Sequence, residues 1–232
     1  MSKHLLFIGD SITEGKLGIN FVDMIKRRYP DYSCHNKGKG GDTLLEVTER
    51  LIKILKEDRY KYFVLVIEAG HNDILLPYVK QRWPFMNIKK VTSISQIGTL
   101  LDKNLKIIIS LTKAKIILTT LSCIGEIYSS PLNQKRRIIN EQIKGVGSNH
   151  NTHIADVSTI FDEIILNSSS SSYLIDNPIN LAIDYFRSKK SRWADKVSNR
   201  RNLNLTIDGA HLNGKGAQIY CREISKILDN IL

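Results

Sequence analysis

Four short segments of the chain bring together the residue types that acyl transfer needs. The first is Gly9-Asp10-Ser11, which follows an apolar run and precedes a helical pattern. A serine at the carboxyl end of a strand points its hydroxyl into the crevice where open α/β sheets gather ligands. Its backbone N–H lies near a helix start, which favours an anion. The hydroxyl remains a poor nucleophile until a base takes its proton. Asp208-Gly209-Ala210-His211, just before the final helical pattern, offers that base. The imidazole can accept the proton, and a carboxylate three residues earlier can reach its other nitrogen and stabilise the imidazolium. Each segment also has a plainer reading: Gly-Asp-Ser suits a turn with a helix cap, and Asp208 or Asn213 can cap the helix that follows.

The other two segments lie between these. Gly70-His71-Asn72-Asp73 directly follows the strongest apolar run, and Asn36-Lys37-Gly38-Lys39-Gly40-Gly41-Asp42-Thr43 separates a short extended segment from a helix. An asparagine amide and a glycine N–H at a helix start are donors suited to a developing oxyanion. Either segment is equally an ordinary loop, with glycine supplying positive φ and Asn or Asp supplying turn bonds. The glycine-rich stretch lacks the G-x-x-x-x-G-K-[ST] spacing of a phosphate loop. His71 lies next to Asn72, so a substrate contact is one role open to it.

The elements that must position these residues alternate. His4–Ile8, Tyr32–Asn36, Tyr62–Ile67, Ile116–Thr119 and His153–Val157 read as strands. Tyr62–Ile67 is continuously apolar, as expected of a parallel strand covered on both faces. Helical spacing recurs over Leu17–Ile25, Leu44–Leu55, Ile97–Ile108, Ile138–Val146 and Ala217–Ile231. The order predicts an α/β domain with a mostly parallel sheet. No internal repeat or linker divides residues 1–232, so a single domain is expected, with insertions near 77–94 and 167–205. The first insertion carries Trp83, Pro84, Phe85 and Met86. The second opens on Ser168–Ser172, flexible by composition, then carries Tyr173, Tyr185, Phe186 and Trp193, with a short helix expected over Pro178–Lys190.

Composition narrows the class. Hydrophobic residues are 42% and charged residues 25% of 232, a globular balance. No apolar run reaches the roughly 18–20 residues of a membrane span, and Leu5–Ile8 is too short for the apolar region of a secretory signal. A cytoplasmic location is therefore expected. Thirty-four Lys and Arg against 23 Asp and Glu give a net charge of +11. The densest basic stretch is Arg187–Arg201, comprising Arg187, Lys189, Lys190, Arg192, Lys196, Arg200 and Arg201. It reads either as a solvated face or as an anion-binding surface. No zinc finger, RRM signature or helix-turn-helix accompanies it, so nucleic acid is not expected as a partner. Cys34, Cys123 and Cys221 have neither disulfide nor zinc spacing. His150 and His153 lack a third ligand, so no metal site is expected there.

Taken in order, the four segments resemble the blocks of the SGNH hydrolases, also called GDSL esterases and lipases. The first block is similar to Phe7-Ile8-Gly9-Asp10-Ser11-Ile12-Thr13, the second to Asn36–Thr43 with Gly41 at the oxyanion position. The third resembles Gly70, Asn72 and Asp73, and the last Asp208 and His211. The likeness runs from residue 5 past 211 and is weakest between Leu121 and Leu205. It implies a three-layer α/β/α, flavodoxin-like fold with a parallel sheet of about five strands. It also implies ester hydrolysis without metal or organic cofactor. By the resemblance Ser11 is the nucleophile, His211 the general base and acid, and Asp208 its orienting partner. The Ser11 and Gly41 N–H groups and the Asn72 amide form the oxyanion site, with Asp10 and Asp73 as structural turn residues. The G-x-S-x-G elbow of the α/β-hydrolases is absent around Ser11.

The expected reaction is hydrolysis of a small acyl ester, such as an O-acetyl group on a carbohydrate. Acyl transfer to another acceptor, or lysophospholipase or thioesterase action, would use the same residues. A noncatalytic anion-binding module would use none of the four segments. Oligomeric state is not legible in the sequence.

Overall fold

The computed structural model describes residues 3–57, 61–85, 87, 89, 91–174 and 191–232, without the side chains of 191 and 192. Five strands form one sheet: β1 (Lys3–Gly9), β2 (Tyr32–Gly38), β3 (Tyr62–Glu68), β4 (Lys115–Thr119) and β5 (His153–Ala155). Their order is β2-β1-β3-β4-β5, and every pairing is parallel. This is the expected flavodoxin-like order. The chain leaves β1 on one side to form β2 and returns on the other to form β3. The carboxyl ends of β1 and β3 therefore flank the crevice of a topological switch point.

The central strands β1, β3 and β4 are mostly apolar because both faces are covered, whereas the edge strand β2 is largely polar and has no buried residue. Leu5 and Phe7 point into one core with Val64 and Val66, against Phe21, Phe161, Tyr220 and Ile224. Leu6 and Ile8 point into the other with Leu65 and Ile67, against Val47, Leu51, Leu101 and Leu105. The first layer comprises α2 (Phe21–Arg28), α7 (Val157–Leu166) and α9 (Gly214–Ile231). The second comprises α3 (Leu44–Glu57), α5 (Ile97–Leu111) and α6 (Pro131–Asn149). Short α1 (Ser11–Glu14), α4 (His71–Arg82) and α8 (Ser191–Arg200) complete the described helices. No described helix is long and apolar enough to cross a membrane.

Local chemistry sets the boundaries. Asn20 caps α2 by accepting from the Val22 N–H, and Lys26, Arg27 and Arg28 sit at its last turn, where cations complement the helix dipole. Ser130 caps α6 ahead of Pro131, whose missing N–H costs nothing there.

Several elements depart from the sequence reading, and two helices, α7 and α8, were not expected at all. The fifth strand ends at Ala155 rather than Val157, because Asp156 accepts from the Thr159 N–H and starts α7. Residues 77–82, read as the start of an insertion, are the second half of α4, with Pro77 inside it. Only His71, Asn72, Asp73 and Ile74 of α4 are buried, so it shows no apolar stripe to detect. The serine run is pinned rather than loose: Ser171 Oγ donates to the Arg201 carbonyl, and its N–H donates to the Asn202 carbonyl. Tyr185, Phe186, Met86 and the helix expected over Pro178–Lys190 lie outside the described residues.

Candidate active site

All the strand-end segments converge on one edge of the sheet. Gly9 ends β1 where there is no room for a side chain: an added Cβ would lie 2.5 Å from the Glu68 carbonyl oxygen. Asp10 then turns the chain, its Oδ1 accepting from the Ile12 N–H at 2.9 Å. Ser11 opens α1, so its own N–H has no intrahelical acceptor.

His211 comes to Ser11 from the far end of the chain, with Nε2 3.0 Å from the Ser11 hydroxyl oxygen. Asp208 divides its carboxylate between two tasks. Oδ1 accepts from the Ala210 and His211 N–H groups at 2.9 and 2.7 Å, which fixes the turn. Oδ2 lies 2.7 Å from His211 Nδ1. Burial alone would push the imidazole towards neutrality, but the Asp208 charge and hydrogen bond outweigh it and raise the His211 pKa. Burial would likewise raise Asp208; His211 and the two N–H bonds reverse this and lower it. The helix-capping alternative belongs to Asn213, which accepts from the Gly216 N–H and caps α9.

The donor side is built by the loops after β2 and β3. Gly41 has φ of +79°, a conformation that favours glycine, and an added Cβ would meet nothing within 4 Å. Asn72 sits in the first turn of α4, where its Nδ2 donates to the Asp42 carbonyl at 2.9 Å. One amide N–H thus ties Asn72 to the Gly41 loop and leaves the other N–H for a ligand. Asp73 Oδ2 accepts from the Leu44 N–H at 2.8 Å, clipping the start of α3 to the same place, and burial raises its pKa to about 6.

Several supporting residues escaped the sequence reading. Arg50 joins two strand-end segments through the Gly9 carbonyl at 2.9 Å on one and the Lys37 carbonyl at 2.7 Å and Asp42 Oδ2 at 2.6 Å on the other. Glu126 accepts from the N–H groups of Asn204, Leu205 and Thr206 and from the Thr206 hydroxyl, at 2.6–2.8 Å. The Thr206 hydroxyl oxygen in turn accepts from the Gly209 N–H at 3.1 Å. Glu126 thereby holds the loop that presents Asp208 and His211. Truncating it leaves buried N–H donors unmatched at about 1–3 kcal/mol each. Glu126→Ala is therefore expected to cost about 3 kcal/mol or more of stability, read as a lower urea midpoint at unchanged m-value.

His71 faces inward and is only 3% exposed. Its Nδ1 lies 3.0 Å from Glu68 Oε1 and its Nε2 3.0 Å from Ser122 Oγ. The substrate contact open to it in the sequence is therefore replaced by a buried network. Asp10, Glu68 and His71 are also the one group among the described residues with ligand atoms close enough for a cation, within 4.8 Å of one another. The Glu68–His71 ion pair accounts for that approach. His150 pairs instead with Asp102 at 2.7 Å.

Of the basic stretch, Arg201 is committed inward, donating to the Ile207 carbonyl at 2.7 Å with its guanidinium over the Tyr173 ring. Arg187, Lys189, Lys190 and the Arg192 side chain lie outside the described residues.

The model of the GDSL-like lipase/acylhydrolase family matches residues 7–219. No curated protein matches the sequence. Among solved structures, the chain is similar to LAE5, an alpha/beta hydrolase enzyme from the metagenome of Lake Arreo, Spain. That match has a TM-score of 0.65 at 17% identity over 100% of this chain and 98% of the other. It is similar to a variant of Axe2, an acetyl-xylooligosaccharide esterase from Geobacillus stearothermophilus, with a TM-score of 0.64 at 22% identity over 97% and 93%. A third similar structure is the acetyl xylan esterase AlAXEase, with a TM-score of 0.63 at 16% identity over 97% and 99%. At these identities the likeness shows a shared fold.

Proposed function

The chain belongs to the GDSL-like lipase/acylhydrolase family, and on that premise we propose that it is a serine esterase working through Ser11, His211 and Asp208. The observation that carries this reading is the continuous chain from Asp208 Oδ2 through both ring nitrogens of His211 to the Ser11 hydroxyl. His211 Nε2 takes the hydroxyl proton as Ser11 Oγ forms a bond to the acyl carbon. The electron pair of the carbonyl moves onto oxygen, where the Ser11 and Gly41 N–H groups and the free N–H of Asn72 stabilise it. His211 then gives its proton to the departing alkoxide. A water molecule repeats the sequence on the acyl-enzyme and releases the acid. Every step is supplied by side chains and backbone of this chain.

The proposed substrate is a small acyl ester on a carbohydrate. Two similar structures are described as acetyl-xylooligosaccharide and acetyl xylan esterases. Phe85, 78% exposed, packs edge-on against Trp83 with ring centroids 5.4 Å apart. Lys89 pairs with Glu46 and lies 4.0 Å from Asp42, which draws this segment alongside the Gly41 loop. An exposed aromatic four residues before Lys89 offers a stacking surface for a sugar ring.

Hydrolysis of p-nitrophenyl acetate, butyrate and octanoate, together with acetate release from acetylated xylooligosaccharides, tests this reading. Turnover that falls with chain length, with acetate released from the oligosaccharide, is expected. Preference for octanoate overturns the small-acyl assignment. Asn72→Ala is expected to lower kcat by about 100–1,000-fold, as for one lost oxyanion donor. A change confined to KM would instead make Asn72 a uniform binding residue.

A further inference from the structure

Behind the nucleophile lies a buried polar network that the acyl-transfer steps leave unused. Asp10 immediately precedes Ser11, and His71 immediately precedes Asn72. Asp10 Oδ2 is 3.7 Å from His71 Nδ1, and both residues are almost wholly excluded from solvent. Glu68, at the end of β3, accepts from the Thr13 hydroxyl of α1 at 2.9 Å with Oε2 and meets His71 with Oε1. Asp10 Oδ2 has no hydrogen-bond partner. Such an oxygen is tolerated in the interior when an opposite charge faces it, and His71 is the group that does.

We propose that His71 is a positioning residue: a buried imidazolium, clamped between Asp10 and Glu68, that fixes the Ser11 turn against the strand end carrying Asn72. The inference rests on the reading of Ser11 as nucleophile and Asn72 as oxyanion donor. The clamp joins the residues next to each of them, and so sets the distance between attacking oxygen and oxyanion site. Glu68 grips α1 a second time through Thr13.

The cluster also contains Ser122, His71 and Glu68 in the same linear arrangement as Ser11, His211 and Asp208. Its protonation distinguishes it. Burial would lower the His71 pKa, but the two carboxylates overcome this and lift it to about 9. Burial also raises the Glu68 pKa; in the proposed clamp the proton stays on His71, so both ring nitrogens carry protons and Nε2 donates to Ser122 rather than taking a proton from it. Ser122 is fully buried, and its N–H donates to the Tyr220 hydroxyl at 3.2 Å. The titratable groups around His71 are Asp10 in the β1–α1 turn, Glu68 on β3, Tyr220 on α9 through Ser122, and His211, whose basicity the His71 charge lowers.

The test is the pH dependence of kcat for p-nitrophenyl acetate in wild type, Glu68→Gln and His71→Gln, with ring-nitrogen NMR of His71. In wild type, kcat is expected to fall as pH rises through about 9 and His71 loses its proton. Glu68→Gln keeps the acceptor for Thr13 but removes a charge, so this limb should move down by about one to three pH units. His71→Gln should lose roughly 100-fold in kcat, the scale of a small misplacement of reacting groups, with KM little changed and the limb gone. A role in packing alone would leave the limb where it is in Glu68→Gln, and that result overturns the proposal. The NMR is independent of turnover and of the fate of His71→Gln: a doubly protonated His71 at pH 8 in wild type supports the clamp, and a neutral one at pH 7 refutes it. Absence of hydrolysis by wild type counts against the esterase mechanism alone.

Discussion

Ser11→Ala is expected to lose about 10⁵–10⁶-fold in kcat, the scale seen when the nucleophile of a serine hydrolase is removed, while unfolding at an unchanged temperature. The change deletes one oxygen. Ser11 is only partly buried, and the hydrogen bond its hydroxyl makes is to His211, so no core packing or cap is lost. Asp10 still caps α1 through the Ile12 N–H. On the proposed mechanism the oxyanion donors and an oriented imidazole remain, enough for slow hydrolysis by water. Hydrolysis of p-nitrophenyl acetate measures the loss. Intact mass after treatment with a fluorophosphonate measures its cause: one adduct on wild type and none on Ser11→Ala. Because Ser122 is fully buried, it should take no label in either protein. A variant that keeps most of its turnover removes Ser11 from the mechanism.

Asp208→Asn is expected to lower kcat by about 10⁴-fold with little change in KM. The amide oxygen can still accept from the Ala210 and His211 N–H groups, so the turn survives. The amide nitrogen then faces His211 Nδ1 and donates to it. This places the ring proton on Nε2, pointing at Ser11, where an acceptor is needed. The charge is lost as well. Since Asp208 raises the His211 pKa, the acid limb of kcat/KM, which reports His211 deprotonation, should move to lower pH in the variant. A kcat within tenfold of wild type, or an unmoved limb, would contradict the assigned roles.

The central strands and most of the two helical layers were legible because β1, β3 and β4 carry apolar runs and α3, α5 and the last helix each carry one apolar stripe; α7 was not read, because its residues follow directly on the short fifth strand. Gly9-Asp10-Ser11 and Asp208–His211 stood out through residue type and place. The supporting residues did not. Arg50 lies on the polar side of a well-read helix, and nothing in its neighbours marks it as the tie between the ends of β1 and β2. Glu126 works through backbone N–H groups some 80 residues away, a relation that no local spacing encodes. Glu68 did leave a signal: a charge in register with the unbroken apolar run Phe63–Ile67, where burial demands a partner. The inward role of His71 was not legible because nearness to Asn72 in the chain does not tell which way a side chain faces. In a helix, successive residues point about 100° apart.

The bond between His211 and Ser11 spans 200 residues of chain, whereas the last strand of the sheet ends at Ala155. All five strands are therefore available to a nascent or truncated chain well before the base exists. On the proposed mechanism such a chain would carry Ser11, Gly41 and Asn72 without the base and would hydrolyse nothing. The final segment docks by its own contacts, with Asp229 on α9 pairing with Arg28 and accepting from the Tyr29 hydroxyl beside the end of α2. On the proposed mechanism, turnover therefore requires a chain made at least as far as His211, with that segment docked against Ser11.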